Sequence, residues 1–223
     1  MGNLYIVATP IGNLKDITLR AIEILKSVDL VLAEDTRVAK KLLNCFDISK
    51  PVWRYDEYAP ESFYEKIKEV LAEGENIALV TDAGTPAIAD PGSKLTSFIQ
   101  KEMPEVKIIP IPGPSALIAA FSAAGVNAAQ FTFLGYPPHK KGRQTFFRGL
   151  KEIKIRPFVF YESPHRVEKT FKSLGENFGS DTEIIVAREL TKIHEEIWRG
   201  TAKTALTYFQ GEKKKGEFVI IVV

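Results

Sequence analysis

Leu4-Tyr5-Ile6-Val7-Ala8-Thr9-Pro10-Ile11-Gly12-Asn13 decides the fold class. A short apolar run, Leu4 to Ala8, is closed by a turn-rich segment, and Thr18 to Ser27 then carries apolar residues at helical spacing. This reads strand, loop, helix, and the unit recurs along the first half. Val28 to Ala33 is a second buried strand, ending in Glu34-Asp35-Thr36-Arg37 and followed by a helix through about Phe46. Pro51 to Tyr55 and Asn76 to Thr81 are two further strands with a helix, Glu61 to Ala72, between them. A helix over Gly92 to Lys101 leads to a fifth strand, Val106 to Ile111. Strands alternating with helices predict an α/β fold with mostly parallel pairing and helices on both sheet faces.

Pro110-Ile111-Pro112-Gly113-Pro114 interrupts that pattern, and a small-residue helix, Ser115 to Ala124, follows. We expect a lobe boundary there, giving an α/β lobe over 1–113 and a second α/β lobe over 114–223. Beyond it lie five candidate strands: Phe131 to Leu134, Pro157 to Tyr161, Glu183 to Arg188, Glu195 to Arg199 and Phe218 to Val223. Helices are expected at Arg166 to Leu174 and Thr201 to Phe209, so the second lobe reads as more strand-rich than the first.

Composition narrows the function classes. With 45% apolar and 26% charged residues the chain is an ordered globular protein and not a tail or linker. One cysteine, Cys45, builds neither a disulfide framework nor a thiolate metal site, which fits a reducing cytoplasm. No run reaches the roughly 18 apolar residues of a membrane span, and Met1 to Asn13 lacks a basic segment leading into an apolar one. Ile6 stands where a myristoylation signal wants Ser or Thr. A soluble cytoplasmic protein without membrane attachment is the expectation. The net charge of +2 hides an asymmetry: thirteen Lys and Arg face seventeen Asp and Glu up to Gly113, and seventeen face eleven beyond it. The halves carry −4 and +6, so the second is the one suited to a polyanion.

Sites in open α/β sheets form beyond the carboxyl ends of strands, which singles out the loops Thr9 to Asn13, Glu34 to Arg37, Thr81 to Gly92 and Pro110 to Ala116. They are expected to converge on one rim. The longest, Asp82-Ala83-Gly84-Thr85-Pro86-Ala87-Ile88-Ala89-Asp90-Pro91-Gly92, combines two glycines and two prolines with two aspartates. Glycine permits close backbone approach and proline fixes φ, so such a loop is pre-shaped to grip a polar ligand with main-chain groups; an ordinary Asp-Gly turn is the plainer reading. Glu34-Asp35-Thr36-Arg37 places carboxylates and a guanidinium at a strand end, either as a site or as an N-cap with a local Arg pair. Glu162-Ser163-Pro164-His165-Arg166 has the same duality, because Ser before Pro looks like a cap with proline at the first helical position. Ala187-Arg188-Glu189-Leu190-Thr191-Lys192 is a third polar cluster, or a solvated loop.

Absences also count. The chain has no G-x-x-x-x-G-K-[ST] and no G-x-G-x-x-G after the first strand, so neither a nucleotide triphosphate loop nor a dinucleotide fingerprint is present. His139, His165 and His194 lack zinc-hydrolase spacing, and no metal site is expected. There is no G-x-S-x-G elbow. Between Leu134 and Arg156 seven cations, Lys140, Lys141, Arg143, Arg148, Lys151, Lys154 and Arg156, are interleaved with Tyr136, His139, Phe146 and Phe147 and meet one acid, Glu152. Cations pair with phosphates and aromatics stack on unpaired bases, so this stretch suits single-stranded or looped RNA, with a solvated helix face as the alternative.

Six motifs in one order carry a resemblance: Leu4 to Leu14, Ala33 to Arg37, Thr81 to Pro86 with Asp90-Pro91-Gly92, Pro112 to Ala116, Tyr161 to Ser163 with His165-Arg166, and Ala187 to Lys192. Over essentially its whole length the sequence resembles the bacterial methyltransferases that modify a cytidine ribose 2′-hydroxyl in small-subunit ribosomal RNA, within the tetrapyrrole-methylase superfamily. The resemblance implies two α/β lobes with S-adenosylmethionine in the cleft between them, and a homodimer. It places Pro10, Asp82, Ala83, Gly84, Thr85, Ile88, Ser115 and Ala116 around the cofactor, with backbone near Tyr161 and Ala187. The missing glycine fingerprint agrees, since this cofactor has no pyrophosphate. The implied partner is small-subunit ribosomal RNA or the assembled small subunit. RNA contacts are expected at Lys140, Lys141, Arg143, Arg148, His165 and Arg166.

Two departures shift weight within that picture. Tyr55-Asp56-Glu57-Tyr58-Ala59-Pro60 stands where such sequences often carry a His/Asn/Glu-rich stretch. Many continue past the last strand into a small helical segment, where this sequence ends at Val223, which places more of the RNA contact on Lys140 to Arg156. A ribose hydroxyl is a poor nucleophile at neutral pH, so a proton acceptor is expected among Asp35, Asp82, Glu189 and Lys192, with Arg37 and Arg188 orienting anionic partners. The competing readings are a methylase of a corrin or porphyrin precursor and a non-catalytic RNA-binding protein of the same fold.

Overall fold

Leu4, Leu30, Leu32, Ile77 and Leu79 point to one side of a sheet, while Val7, Val31, Ala33, Ala78 and Val80 point to the other. The alternation is the period of two that a strand imposes on apolar residues buried on both faces. In this computed structural model, which describes residues 1–223, the chain forms two compact units, Met1–Ser115 and Ala116–Val223.

The first unit is a five-stranded sheet of β1 (Leu4–Val7), β2 (Leu30–Ala33), β3 (Val52–Arg54), β4 (Ile77–Leu79) and β5 (Ile108–Ile111). Its order is β3-β2-β4-β1-β5 and every pair is parallel. The helices are α1 (Leu19–Ser27), α2 (Thr36–Cys45), α3 (Glu61–Ala72) and α4 (Ser93–Glu102). Connections β1 to β2 to β3 run one way across the sheet, and β3 to β4 to β5 run back. With right-handed crossovers, that reversal sends α1 and α2 to one face and α3 and α4 to the other. The cores agree: Ala21, Leu25, Ala39 and Leu43 pack with Val7 and Val31, whereas Ile67, Leu71, Leu95 and Ile99 pack with Leu4 and Leu32. The direction changes between the neighbours β4 and β1, so loops leave that point in opposite directions and open a crevice at the carboxyl ends.

The second unit holds α5 (Ala116–Ala124), α6 (Arg143–Gly149), α7 (Val167–Phe178) and α8 (Ala202–Tyr208). Its strands are β6 (Thr132–Phe133), β7 (Phe158–Glu162), β8 (Glu183–Arg188), β9 (Glu196–Thr201) and β10 (Phe218–Val222). The order is β6-β7-β10-β8-β9, and only β6 with β7 is parallel. The mostly parallel pairing expected from the strand–helix alternation of the first half does not extend to this more strand-rich half. The terminal strand β10 inserts antiparallel between β7 and β8, which strand-and-helix alternation does not encode. Phe158, Phe160, Ile184, Val186, Ile220 and Val222 form the core with Phe147, Phe171, Leu174 and Phe209 of the helices.

Two local readings also change. The segment Ser163 to Arg166 is a turn, with the Ser163 carbonyl accepting from the Arg166 and Val167 N–H groups, and α7 starts after it. Ser163 is not the helix cap, because its hydroxyl accepts from Arg166 Nε. The basic stretch contains a seven-residue helix, α6, that no expectation delimited.

Candidate active site

The four loops beyond the first sheet do converge. Thr9 and Gly84 exchange both main-chain hydrogen bonds, at 2.9 and 3.0 Å, joining the loops after β1 and β4. The Thr9 hydroxyl donates to the Thr81 carbonyl at 3.1 Å, and the Thr85 hydroxyl donates to the Pro114 carbonyl at 3.1 Å. The Asp35 N–H donates to Asp82 Oδ1 at 3.1 Å, which ties in the loop after β2. Two glycines are required by this stitching. Gly84 sits at φ +86°, and a Cβ on Gly113 would lie 3.0 Å from the Cβ of Ala8. Ala87 and Ala89 are held at φ +68° and +63°, conformations that non-glycine residues adopt at a cost and that cluster at ligand-gripping loops.

Of the residues expected around a cofactor, Pro10 and Gly84 are buried in this rim, Ala83 and Ile88 are exposed on it, and Thr85 is half-buried. Ser115 ends the first unit and Ala116 begins α5 of the second. Tyr161 on β7 and Ala187 on β8 both face Val219 of β10 in register, so they lie in one cross-strand row. Tyr161 packs edge-on against Phe133 and Tyr136, with ring centroids 5.1 and 5.4 Å apart.

The carboxylates of the rim differ in kind. Asp35 caps α2, accepting from the Arg37 N–H at 2.8 Å, and pairs with the Arg37 guanidinium at 2.6 Å. Those hydrogen bonds hold its carboxyl well below the usual carboxylate range, which makes it a weak proton acceptor. Arg37 is correspondingly committed to Asp35. Glu34 moves the other way: loss of water and the charge of Asp82 raise its pKa. Asp90 is pushed up to about 6, by burial first and then by Glu34 and Asp82. Neither Glu34 nor Asp90 was among the expected catalytic residues. The loops that carry them were expected to converge, but which of the rim carboxylates lose water is set by the fold and leaves no mark on the sequence.

In the second unit, the charged groups of the loop after β8 are paired. Lys192 Nζ donates to Glu189 Oε1 at 2.9 Å and to Glu217 Oε2 at 2.7 Å, and the Glu217 N–H also donates to Glu189. Burial opposes both charges, yet the hydrogen bonds prevail: Glu189 lies below its ordinary pKa and Lys192 above its own. A carboxylate and an ammonium so stabilised resist exchanging a proton with a hydroxyl. Arg188, 8% exposed, donates to the carbonyls of Lys215, His194 and Glu212 and so braces the loop before β10.

The expected RNA contacts divide into two groups. Glu162 is buried at the end of β7, and Arg143 Nη2 at 3.1 Å and Arg166 Nε at 2.9 Å flank its carboxylate. The Thr170 hydroxyl donates to the same carboxylate at 2.6 Å. Both guanidiniums reach on, to the carbonyls of Pro138 and Pro137 respectively. Arg143 and Arg166 are therefore internal clamps on the turn that carries Tyr136 to Lys141. Lys140, Lys141, Arg148 and His165 are exposed and form no ion pair. Glu162 was singled out within the Glu162–Arg166 cluster, but its role as the common anion of Arg143 and Arg166 was not; its signal is a carboxylate closing the otherwise apolar strand Phe158–Glu162.

A parallel sheet with a stitched rim of carboxylates at its reversal point, followed in the chain by a mixed sheet with an exposed basic turn, defines a class. The family of tetrapyrrole (corrin/porphyrin) methylases matches residues 3–206. Among solved structures, a cobalt precorrin-4 methyltransferase of cobalamin biosynthesis superposes with a TM-score of 0.72 at 20% identity, covering 99% of this chain and 94% of that one. Uroporphyrin-III C-methyltransferase from Thermus thermophilus follows with a TM-score of 0.66 at 15% identity, with the same shares covered. These likenesses concern the fold. Curated relatives are nearer in sequence. The ribosomal RNA small subunit methyltransferase I of Thermotoga maritima is 42% identical over 222 residues, covering 100% of this chain and 98% of the relative. Its namesake from Synechocystis is 44% identical over 223 residues, covering 100% of this chain and 79% of the relative. The chain belongs to the ribosomal RNA small subunit methyltransferase I family, within the tetrapyrrole methylases.

Proposed function

We propose that this protein transfers the methyl group of S-adenosylmethionine to the ribose 2′-hydroxyl of a cytidine in small-subunit ribosomal RNA. The observation that carries the reading is the full-length likeness to relatives named as ribosomal RNA small subunit methyltransferases, on a fold whose rim holds carboxylates with raised pKa. Bound S-adenosylmethionine supplies a methyl already activated on a sulfonium. The chain fits such a ligand: Ala83 and Ala87 put only short side chains on the rim, and Ile88, 44% exposed, offers apolar surface to an adenosyl group. Pro10, the Asp82 to Ile88 loop, Ser115 and Ala116 would hold it, with main chain around Tyr161 and Ala187.

The remaining work is positioning and proton removal. Fixing the hydroxyl in line with the methyl group lowers the barrier by several kcal/mol through lost entropy alone. Asp90, titrating near 6, is ionised at neutral pH yet basic enough to take the hydroxyl proton, and Glu34 beside it is shifted in the same direction. Lys140, Lys141 and Arg148 supply the exposed positive surface for phosphates, and the exposed His165 offers a hydrogen-bonding ring.

The test is methyl transfer from labelled S-adenosylmethionine to small ribosomal subunits lacking their native methylations, followed by nucleoside mass spectrometry. The expected product is 2′-O-methylcytidine. Label on a porphyrinogen offered in parallel, with none on RNA, would assign the protein to tetrapyrrole chemistry. RNA binding with no transfer to any acceptor would leave only a binding protein.

A further inference from the structure

A cavity of about 250 Å³ lies wholly within the first unit, between α2 and the loops that follow β1 and β4. It is smaller than the roughly 300–1,000 Å³ of sites for drug-sized ligands, a size for one flat ring with its sugar. Its walls are apolar: Pro10 and Leu42 are buried, while Leu14 and Val38 are 45% and 37% exposed at its margin. Besides Thr9 and Thr81, two charged groups line it. Asp82 uses one carboxylate oxygen to accept from the Asp35 N–H and has the other free. Lys41 is exposed and forms no ion pair.

From this lining we propose that the cavity receives the methyl-accepting nucleotide unstacked from its RNA, with Asp82 reading the exocyclic amino group of cytosine and Lys41 meeting a flanking phosphate. The inference rests on the function proposed above and adds to it a base pocket and a specificity-determining residue. The chemistry selects the occupant. A carboxylate oxygen lacking a donor accepts from the N4 amino group of cytosine, whereas uracil presents the O4 acceptor there and is repelled. A cation across an apolar slot suits a phosphate, and enzymes that modify a nucleotide commonly draw it out of its stack into such a pocket. Asp82 also begins the Asp82 to Ile88 loop proposed to hold the cofactor, so the acceptor pocket and the donor loop share one stretch of backbone.

The test compares subunits carrying cytidine or uridine at the target position, assayed at pH 8, above the titration of Asp90. Wild-type protein is expected to prefer cytidine by at least about tenfold in kcat/KM. Asp82→Asn is expected to reduce that preference by about tenfold or more, because an amide N–H can donate to O4. Val38→Trp, at a half-exposed position on the pocket margin, is expected to raise KM for RNA about tenfold while S-adenosylmethionine binding by equilibrium dialysis stays unchanged. Equal losses on cytidine and uridine in Asp82→Asn, or an unaltered KM in Val38→Trp, would overturn the pocket and leave the methyltransferase reading standing. Wild-type protein inert on both substrates would instead bring down that reading, and the pocket with it.

Discussion

The two units each bury a five-stranded sheet, yet they treat charge in opposite ways. On the first, Glu34, Asp82 and Asp90 gather with Asp35, of which only Asp35 holds a guanidinium in a direct ion pair, and Glu34 and Asp90 titrate above their ordinary values. On the second, Glu162, Glu189 and Glu196 each face an arginine or lysine within ion-pair distance. Matched charges brace loops and turns, while unmatched ones remain reactive, because only a group whose protonated and ionised forms are close in energy trades a proton near neutral pH. On the function proposed above, this contrast would give the chemistry to the parallel unit and the presentation of positive surface to the mixed one.

The largest effect that would break this division is at Asp90. Asp90→Asn is expected to lower the single-turnover rate of methyl transfer by about 10²-fold or more, with S-adenosylmethionine affinity unchanged. A normal rate would return the proton acceptor to the other candidates. Next comes the brace in the second unit. Glu162→Ala leaves Arg143 and Arg166 facing a hole where their common anion stood, and urea denaturation should show a loss of about 3–5 kcal/mol, the usual result of stranding buried charge.

Smaller effects sharpen the separation of exposed from internal cations. Lys140→Ala and Lys141→Ala should each reduce the slope of log affinity against log salt by roughly 0.7–0.9 for every phosphate that the lysine neutralises. Arg143→Ala should instead register as lost stability, since its guanidinium serves Glu162 and the Pro138 carbonyl. Smallest is Asp35→Ala, expected to lower the thermal midpoint slightly through the lost cap of α2, while the transfer rate keeps its order of magnitude.

Much of this frame is legible in the sequence where the cause is local. α3 spans Glu61–Ala72 and β8 spans Glu183–Arg188, the limits that apolar periodicity predicts. The rim follows too, because the loops end buried strands of a parallel sheet. What escaped reading is non-local. Inserting β10 between β7 and β8 pairs residues far apart in the chain, so the antiparallel order leaves no mark on any single strand. α6 buries only Phe147, too little to impose a helical period on a stretch of cations. Arg143 and Lys141 look alike in sequence. They part because Arg143 lies within reach of the buried Glu162 carboxylate. Asp90 gains its raised pKa from burial and from Glu34 and Asp82, brought together only by the fold.

The most direct test of the claim that the carboxylate rim of the parallel sheet performs the chemistry is the pH profile of single-turnover methyl transfer. A proton acceptor must be ionised to act, so the rate should rise with pH, level off above an apparent pKa of about 6, and lose that limb in Asp90→Asn. A wild-type rate that is flat from about pH 5 to 8, or a limb that survives in Asp90→Asn, would contradict the account.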